Sequence, residues 1–370
     1  MKLALVLYKY FPFGGLQRDM LDIAQVAAQR GHQVTVFCSA WQGARPAGID
    51  LHRIPGRGLS NAGRMQCFAR HLAKALKGAK FDRVVGFNKW PGLDYYYAAD
   101  SCFAEKAWRQ RGMIYRMTAR ARCYLAFEQA IFSPASATRI FQLSAIERDK
   151  YIEFYQTPKA RFLALPPGIP ADRRIPQDWR RVRERTRQAL GVGPEQTLLL
   201  AIGSGFRTKG LDRSLAALRD LNMPQARLLV VGQDNPRPFI QMVRRYGVAE
   251  QVEFLGGRSD IPELLLAGDV LLHPAYRENT GNVLLEAMVA GLPVVCSDAC
   301  GYAHYVAEEN MGHVVASPFE ASAYSQAIRS VLAKGHEHWR EKGAAFAARA
   351  DVFSRASVAV DMLEAGLAAN

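Results

Sequence analysis

Short apolar segments with the length of buried strands alternate along this chain with segments of helical periodicity. Near the start, "KLALVLY" precedes a Gly-Gly pair and the helical pattern "LQRDMLDIAQVAAQRG", and "HQVTVFCS" and "FDRVVGFN" follow as further strands. Strands separated by helices of this length build βαβ units, whose strands are parallel and lie in one sheet. The alternation therefore predicts an α/β fold.

The chain also contains a break in this alternation. Its 370 residues are more than one compact core usually supports. Residues 165–180, "LPPGIPADRRIPQDWR", have the four prolines and the glycine of a linker, and strand patterns such as "TLLLAIGSG" and "DVLLHPAY" resume beyond it. We therefore expect two doubly wound, Rossmann-like domains, residues 1–167 and 168–352, and a helix in 353–370 that packs back on the N-terminal domain. Such sheets bind ligands at the carboxyl ends of their strands, so two facing sheets would share a cleft.

The positive charge is confined to the first half of the chain. Residues 1–165 contain 25 Lys and Arg against 11 Asp and Glu, whereas residues 166–370 contain 23 of each kind. This imbalance indicates an anionic partner for the first half: nucleic acid, an anionic membrane or an acidic substrate.

The cysteines and the N-terminal segment indicate the cellular compartment in which the protein is expected. The six cysteines are scattered without a Cys-x-x-Cys pair, so we expect reduced, mostly buried thiols. The start "MKLALVLYKYFPFGG" has one Lys before a very short apolar run and no small-residue cleavage site, which favours a buried first strand over a signal peptide. We expect a cytoplasmic protein.

The stretch "RENTGNVLLEAMVAGLPVV", residues 277–295, begins a helix shortly after a strand. Thr280 and Asn282 are good capping residues, and Gly281 lets the backbone come close to a ligand. A helix start offers unpaired N–H groups and a partial positive charge, here near Gly281, Asn282 and Val283, that suit a phosphate. The pattern predicts a diphosphate site, and a capped helix without a ligand is the alternative.

Two glutamates flank this helix start. Glu286, which the pattern places in the first turn, could accept hydrogen bonds from a ribose diol, and Glu278 could reach sugar hydroxyls. With a phosphate between them they indicate a nucleotide-sugar site. On spacing alone, two ordinary glutamates are the competing interpretation.

The segment from residue 103 to residue 132 is both basic and aromatic, with six Lys or Arg, two Glu and six aromatic residues. The apolar side chains that would share one helical face are Ile114, Met117, Ala121, Tyr124 and Leu125. Such a face indicates an amphipathic helix on an anionic membrane, and a helix packed on its own core is the alternative. The basic side chains of the predicted membrane or acceptor patch are Lys106, Arg109, Arg111, Arg116, Arg120 and Arg122.

Several motifs resemble those of a known family. The spacing Glu278-x7-Glu286, followed by "GLPVVCSDACG", resembles the signature of retaining GT-B glycosyltransferases, and "GSGFRTKG" is similar to a segment of the same enzymes. The segments "LYKYFPFGGLQRDM", "RVVGFNKWPGLDYYYAADSCFAEK", "LPPGI" and "HPAYRENTG" are similar to the lipopolysaccharide core glucosyltransferase I family of Gram-negative bacteria, in the same order. The resemblance covers essentially the whole chain. It implies a GT-B fold and the transfer, with retention, of glucose from UDP-glucose to the first outer heptose of the inner core.

The resemblance also implies donor contacts. Lys209, with Arg207 nearby, would neutralise the departing diphosphate, although the family has an Arg directly before the Lys where this chain has Thr208. Arg173, in the linker, would contact the donor, and Arg258, in "GGRSD", would lie beside the uracil. On the residues alone, a turn lysine and surface arginines are the alternatives.

In the first domain, Gly14 and Gly15 follow the first strand without a G-x-G-x-x-G pattern, so a dinucleotide site is poorly supported. The resemblance implies that this glycine pair faces the donor phosphate and sugar across the cleft. Asp19, one helical turn after Gly15, and Asp100 are predicted to line the cleft and to be catalytic together with Glu278. An ordinary first-turn carboxylate and a helix cap are the respective alternatives.

No Asp-x-Asp sequence, the motif through which some glycosyltransferases hold a diphosphate on a divalent metal, occurs in the chain. Lys209, an Arg and the helix start could supply the positive charge instead. We therefore predict a reaction that uses neither metal nor cofactor. His273 and His304 are assigned no catalytic role, because a His at a strand end is more often simply packed and hydrogen-bonded.

The expected partners are UDP-glucose, a lipopolysaccharide inner-core acceptor bound by the basic first domain, and the anionic cytoplasmic face of the inner membrane. Two other functions stay open. One is a GT-B transferase with another UDP-sugar or another lipid-linked acceptor. The other is a basic nucleic-acid-binding protein, for which the chain has neither an RNP-type aromatic motif nor a recognition-helix signature.

Overall fold

A computed structural model describes residues 1–12 and 14–368 and, of the side chains, those up to residue 366. The chain divides into two compact units. The first comprises Met1–Gly168 and the described chain from Ser354 onward, and the second comprises Ile169–Phe353. The boundaries lie one residue from the positions expected from the linker.

The first unit is built of short parallel strands and the helices that connect them. Its elements up to Gly168 are β1 (Lys2–Val6), β2 (Lys9–Tyr10), α1 (Gly15–Gln29), β3 (Gln33–Cys38), β4 (Ala40–Trp41), β5 (Ile49–Arg53), α2 (Asn61–Gly78), β6 (Arg83–Gly86), β7 (Tyr95–Tyr97), α3 (Phe103–Glu105), a π-helical turn (Lys106–Gln110), α4 (Met113–Met117), α5 (Ala119–Phe132), β8 (Arg139–Gln142), α6 (Ala145–Tyr155) and β9 (Phe162–Ala164). Within the described residues, seven of the strands form a parallel sheet of order β5-β3-β1-β6-β7-β8-β9, and β2 and β4 pair in parallel as a separate two-stranded sheet.

The two faces of this sheet carry separate apolar cores. On β1, Leu3 and Leu5 belong to one buried cluster, and Ala4 and Val6 belong to the other. Successive strand side chains point to opposite faces, so a strand covered on both sides has to be apolar throughout. This explains why "LALV" reads as a continuous apolar run.

The second unit repeats the same architecture. Its elements are α7 (Trp179–Ala189), β10 (Thr197–Ile202), α8 (Leu211–Leu221), β11 (Ala226–Val231), α9 (Arg237–Tyr246), β12 (Val252–Gly256), α10 (Ile261–Ala267), β13 (Val270–His273), α11 (Asn282–Val289), β14 (Val294–Ser297), α12 (Ala303–Glu308), β15 (Gly312–Val315), α13 (Ala321–Leu332) and α14 (His336–Arg349). The six strands of this unit pair in parallel in the order β12-β11-β10-β13-β14-β15. The order reverses direction at β10 and β13, where open α/β sheets bind ligands.

The last helix, α15 (Arg355–Ala368), belongs to the first unit. Ala359, Val360 and Leu363 are fully buried in the core that also contains Leu5 and Met20. The C-terminal segment therefore completes one face of the first sheet.

The basic segment between residues 103 and 132 is not one amphipathic helix, which corrects the expectation from its periodicity. The backbone is extended at Gly112 and Thr118, and Thr118 begins α5 as its N-cap. Ala121 is buried whereas Ile114 is 85% exposed, so the expected apolar stripe does not form a single face. Within the described residues, none of the helices is long and apolar enough to cross a membrane.

Candidate active site

The start of α11 lies where the strand order of the second sheet reverses. Gly281 occupies the N-cap position in a left-handed conformation, φ +88°, and the helix begins at Asn282. The expected capping roles of Thr280 and Asn282 are therefore wrong, because the turn needs a positive φ that glycine adopts without strain. The first amides of α11, from Asn282 and Val283, belong to the group that an α-helix leaves without intrahelical acceptors. Glu286 is buried in the second turn of α11 and not in the first.

Glu278 is the centre of the best-defined polar cluster at this end of the sheet. Its Oε2 accepts hydrogen bonds from the Lys209 ammonium and from His273 Nε2, the latter at 3.1 Å. Burial raises the pKa of Glu278, but the hydrogen bond from His273 and the charge of Lys209 outweigh it and lower the pKa to about 2. Glu278 is therefore a carboxylate at neutral pH.

The loop that carries Lys209 contacts the loop that carries Glu278. The Tyr276 amide donates to the Thr208 carbonyl at 2.9 Å. Gly210 has φ +75°, and a Cβ at this position would lie 2.1 Å from the Pro274 carbonyl oxygen, so only glycine fits. The glycine after Lys209 thus allows the close approach that brings the ammonium to Glu278.

Glu286 has a cationic partner from the start of the second unit. Arg173 Nε donates to Glu286 Oε2 at 3.1 Å, and Arg173 Nη1 donates to Asp172. Arg173 and Glu286 are both buried. The two residues predicted to contact the donor, 113 positions apart in the chain, are therefore brought together within one unit.

Arg207 and Arg258, also predicted to contact the donor, lie on two other parts of the second unit. Arg207 and Thr208 are exposed on the loop before Lys209. Arg258 is half-buried after β12 and forms a two-point ion pair with Asp260. The Arg258 guanidinium is therefore oriented by Asp260.

In the first unit, Gly14 is the N-cap of α1, and Gly15 is its first residue. Asp19 lies buried on the same helix. Its Oδ2 accepts from Tyr97 Oη at 2.8 Å and from Arg355 Nη1 at 3.1 Å. The Asp19 carboxylate therefore connects α1 to β7 and to the C-terminal helix.

Asp100 lies in the loop after β7, where its side chain is exposed and its carbonyl accepts from Tyr151 Oη at 2.8 Å. It is not a helix cap, because Cys102 is the N-cap of α3. The same loop is anchored by Lys89, whose ammonium donates to the Ser101 carbonyl and to Glu128. Glu128 has no exposed surface.

The six predicted patch residues do not share one environment. Lys106 and Arg109 lie on the π-helical turn, Arg111 follows it, Arg116 lies on α4, and Arg120 and Arg122 lie on α5. The Arg116 guanidinium stacks 3.8 Å from the Trp108 ring, and Arg109 pairs with Glu153. Large apolar side chains are exposed among them, at Trp108, Met113, Ile114 and Met117.

The structure brings to these clusters three polar residues that sequence reasoning either set aside, as it did His273, or missed. They are His273, on Glu278; Arg355, on Asp19; and Glu128, under the Asp100 loop. The available signal for His273 was its place at the carboxyl end of a strand, five residues before Glu278. The partners of Arg355 and Glu128 are too distant in sequence to give a local signal.

The part of the chain that the structure describes comprises residues 1–12 and 14–368. No group of three or more His, Cys, Asp or Glu side chains in that part of the chain has the arrangement of a metal site. The cations nearest the two glutamates of the helix start are those of Lys209 and Arg173.

Comparison with known proteins gives matches along both units. The family described as Glycosyltransferase Family 4 matches residues 13–173, and the family described as Glycosyl transferases group 1 matches residues 182–347. HepE of Anabaena, solved in complex with UDP-glucose, has the same fold at a TM-score of 0.77, with 20% identity over 99% of this chain and 100% of its own.

The similarity to a lipopolysaccharide glucosyltransferase is higher than the similarity to HepE. Lipopolysaccharide glucosyltransferase WaaG of Escherichia coli (strain K12) is 43% identical over 99% of this chain and 100% of its own length. A crystal structure of WaaG superposes with a TM-score of 0.92 over 98% of this chain and 99% of that chain. The predicted GT-B fold and the resemblance seen in the motifs are thereby confirmed: the chain belongs to the lipopolysaccharide core glucosyltransferase I family of GT-B glycosyltransferases.

Proposed function

We propose that this chain transfers glucose from UDP-glucose to an inner-core heptose of lipopolysaccharide, with retention of configuration and without a metal ion. The observation that carries the proposal is the Lys209–Glu278–His273 cluster beside the start of α11. It stands in a chain that is 43% identical, end to end, to a lipopolysaccharide glucosyltransferase.

The donor binds at the carboxyl end of the second sheet. The first amides of α11, from Asn282 and Val283, receive the diphosphate, because the helix start combines N–H donors with partial positive charge. Lys209 moves from Glu278 to the phosphate and stabilises the negative charge that develops as UDP departs. Glu278 then accepts hydrogen bonds from glucose hydroxyls.

Glu286 binds the ribose diol of the donor. Its carboxylate is already oriented by Arg173, which lowers the ordering cost of binding. Arg258 lies beside the uracil. The second unit thus supplies contacts to the diphosphate, the ribose and the base of the nucleotide, and Gly14 and Gly15 of the first unit face the donor phosphate and sugar.

The reaction does not pass through an enzyme-linked sugar. The carboxylate best placed at the donor, Glu278, is bound by a cation and a histidine, which suits a group that binds hydroxyls better than it suits a nucleophile. The departing diphosphate itself helps to deprotonate the attacking hydroxyl. Asp100, exposed in the loop after β7, contacts the acceptor. Asp19 is held in place by Tyr97 and Arg355.

A donor panel tests the proposed function. With UDP-glucose, UDP-galactose and UDP-GlcNAc supplied alongside truncated core acceptors, we expect kcat/KM to be highest for UDP-glucose by about 10-fold or more, because Glu278 is placed to discriminate hydroxyl orientation. Product formation is followed by mass spectrometry. Activity with UDP-galactose alone would contradict the glucose assignment, and no turnover of any UDP-sugar would contradict the enzyme assignment.

Chelation tests the absence of a metal requirement. We expect turnover with excess EDTA to equal turnover without it, because Lys209 and the helix start provide the positive charge that a divalent ion would otherwise supply. The comparison uses protein dialysed against chelator and the same protein with Mg²⁺ or Mn²⁺ restored. A loss that the added metal reverses would contradict this part of the proposal.

The acceptor and the membrane are bound by the basic first unit. Trp108, Met113, Ile114 and Met117 are between 57% and 85% exposed and alternate with arginines. Exposed apolar side chains of this size insert into the interface of a bilayer, while the adjacent arginines pair with anionic headgroups. The protein is therefore attached to the cytoplasmic face of the inner membrane.

Vesicle binding tests the attachment. We expect the double variant Ile114→Ser/Met117→Ser to lose about 10-fold in affinity for vesicles containing phosphatidylglycerol, since two inserted side chains contribute about 1.5–3 kcal/mol each on full burial and less on partial burial. Donor turnover in solution should be unchanged. The control is Ile146→Ser, which removes an exposed apolar side chain outside the segment. Equal vesicle affinity for both variants would contradict the assignment.

A further inference from the structure

We infer that His273 is a positioning residue of the donor site, which holds the Glu278 carboxylate in place when Lys209 turns to the donor diphosphate. The inference rests on the proposed function, because it assigns a task within the same site. It concerns the step between donor binding and sugar transfer.

His273 is fixed by the sheet. It is the last residue of β13, is 1% exposed, and lies beside Lys209 and Phe206 on the wall of a small cavity at the end of the strands. Its carbonyl accepts from the Ala275 amide at 2.9 Å. The ring therefore offers Nε2 to Glu278 from a position set by strand and turn geometry.

The loop that carries Glu278 is held separately. The Glu278 amide donates to the Ala299 carbonyl at 3.2 Å, and the Glu278 carbonyl accepts from the Gly301 amide at 3.2 Å. These bonds fix the backbone but leave the side-chain torsions of Glu278 undetermined. The side chain is oriented by its two partners, His273 and Lys209.

The two partners differ in mobility. The Lys209 side chain is 27% exposed, whereas that of His273 is 2% exposed. A lysine ammonium sits on a flexible four-carbon stem and can exchange a carboxylate for a phosphate. The His273 ring has no comparable freedom, so it is the partner that stays.

The exchange leaves Glu278 dependent on His273. The Glu278 side chain is only 13% exposed, and a buried carboxylate that loses its donors pays the full cost of desolvation. With Nε2 still donating, Glu278 keeps one oxygen bound and presents the other to the glucose hydroxyls. Without it, the Glu278 side chain rotates away from the sugar when Lys209 turns to the diphosphate.

Because Lys209 binds the diphosphate and His273 holds Glu278, the loss of His273 should affect the binding of one ligand more than that of the other. Glu278 contacts the sugar and not the nucleotide, so loss of the His273 hydrogen bond should weaken binding of UDP-glucose but not of UDP. A histidine that served only to pack the strand end would affect both ligands, or the stability of the fold, to the same degree.

The test compares two amide substitutions. In His273→Gln the side-chain amide reaches the position of Nε2 and can donate to Glu278, whereas in His273→Asn it stops near the position of Nδ1. For His273→Asn we expect the Kd of UDP-glucose to rise and kcat to fall, each by about 10-fold, because a hydrogen bond to a charged group is lost. For His273→Gln we expect values within about 3-fold of wild type, and for both variants an unchanged Kd for UDP.

Calorimetric titration of the full chain with UDP and with UDP-glucose gives both constants, and transfer to core acceptor gives kcat and KM. Equal losses in the two variants, or equal weakening of UDP and UDP-glucose, would overturn the role of His273. Wild-type protein that binds neither ligand would instead overturn the proposed function, and this inference with it.

Discussion

Replacing Lys209 with methionine lowers kcat for glucose transfer by about 1,000-fold, because one positioned charge on the developing diphosphate contributes a factor of about 100 to 1,000. Methionine has a similar length and remains compatible with the half-buried position. Glu278 keeps its hydrogen bond from His273, so we expect the fold to persist. The measurement is single-turnover transfer with saturating UDP-glucose, which separates chemistry from product release.

Two further variants complete this test. Lys209→Arg keeps the positive charge and should recover part of the lost rate. Arg207→Met removes the exposed cation two residues earlier and should lower kcat by less than Lys209→Met, since an exposed charge is screened by water. A larger loss in Arg207→Met would show that Arg207, and not Lys209, is the cation that stabilises the departing diphosphate.

Replacing Glu128 with leucine lowers the free energy of unfolding of the first unit by about 3–5 kcal/mol, the usual cost of removing one partner of a buried ion pair. Glu128 is fully buried and accepts from Lys89, from the Phe103 and Ala104 amides, and from Tyr155 Oη. All four donors lose their acceptor at once. Urea-induced unfolding, followed by the tryptophan and tyrosine fluorescence of the chain, measures the change.

The matched control lies on the same unit. Arg109 and Glu153 form an ion pair in which both side chains are 53% exposed, and Glu153→Leu should stay within about 1 kcal/mol of wild type. The double variant Lys89→Met/Glu128→Leu should recover part of the loss, because it removes the unpaired ammonium as well. If Glu128→Leu were as mild as Glu153→Leu, the buried pair would not hold the loop that carries Asp100.

The parallel α/β architecture could be predicted because its signals are local. The central strands are short and mainly apolar, and helices separate many of them from the next strand, as α8 separates β10 from β11. Such segments have few alternatives to a doubly wound sheet. The position of Lys209 and Glu278 after the carboxyl ends of β10 and β13 follows from the same pattern. Both loops can therefore be located from the sequence.

Local sequence signals gave wrong predictions of helix starts and helix lengths where the conformation of a turn decides them. Thr280 and Asn282 are residue types that often cap helices. The N-cap of α11 is nevertheless Gly281, because the turn requires a left-handed conformation that glycine adopts without strain. The periodicity of residues 103–132 indicated one helix, yet extended backbone at Gly112 and Thr118 divides it. Periodicity detects a repeating apolar pattern and not the extended residues that interrupt the helix within it.

The sequence by itself determined the order of strands and helices, the helix start after β13, and the family motifs that indicate a nucleotide-sugar site. Only the tertiary structure decided which charge meets which partner. Lys209 and Glu278 are 69 positions apart, Arg173 and Glu286 are 113, and Asp19 and Arg355 are 336. Contacts over such separations depend on strand order, helix packing and the path of the returning C-terminal helix, because each side chain reaches only a few ångströms from its own backbone.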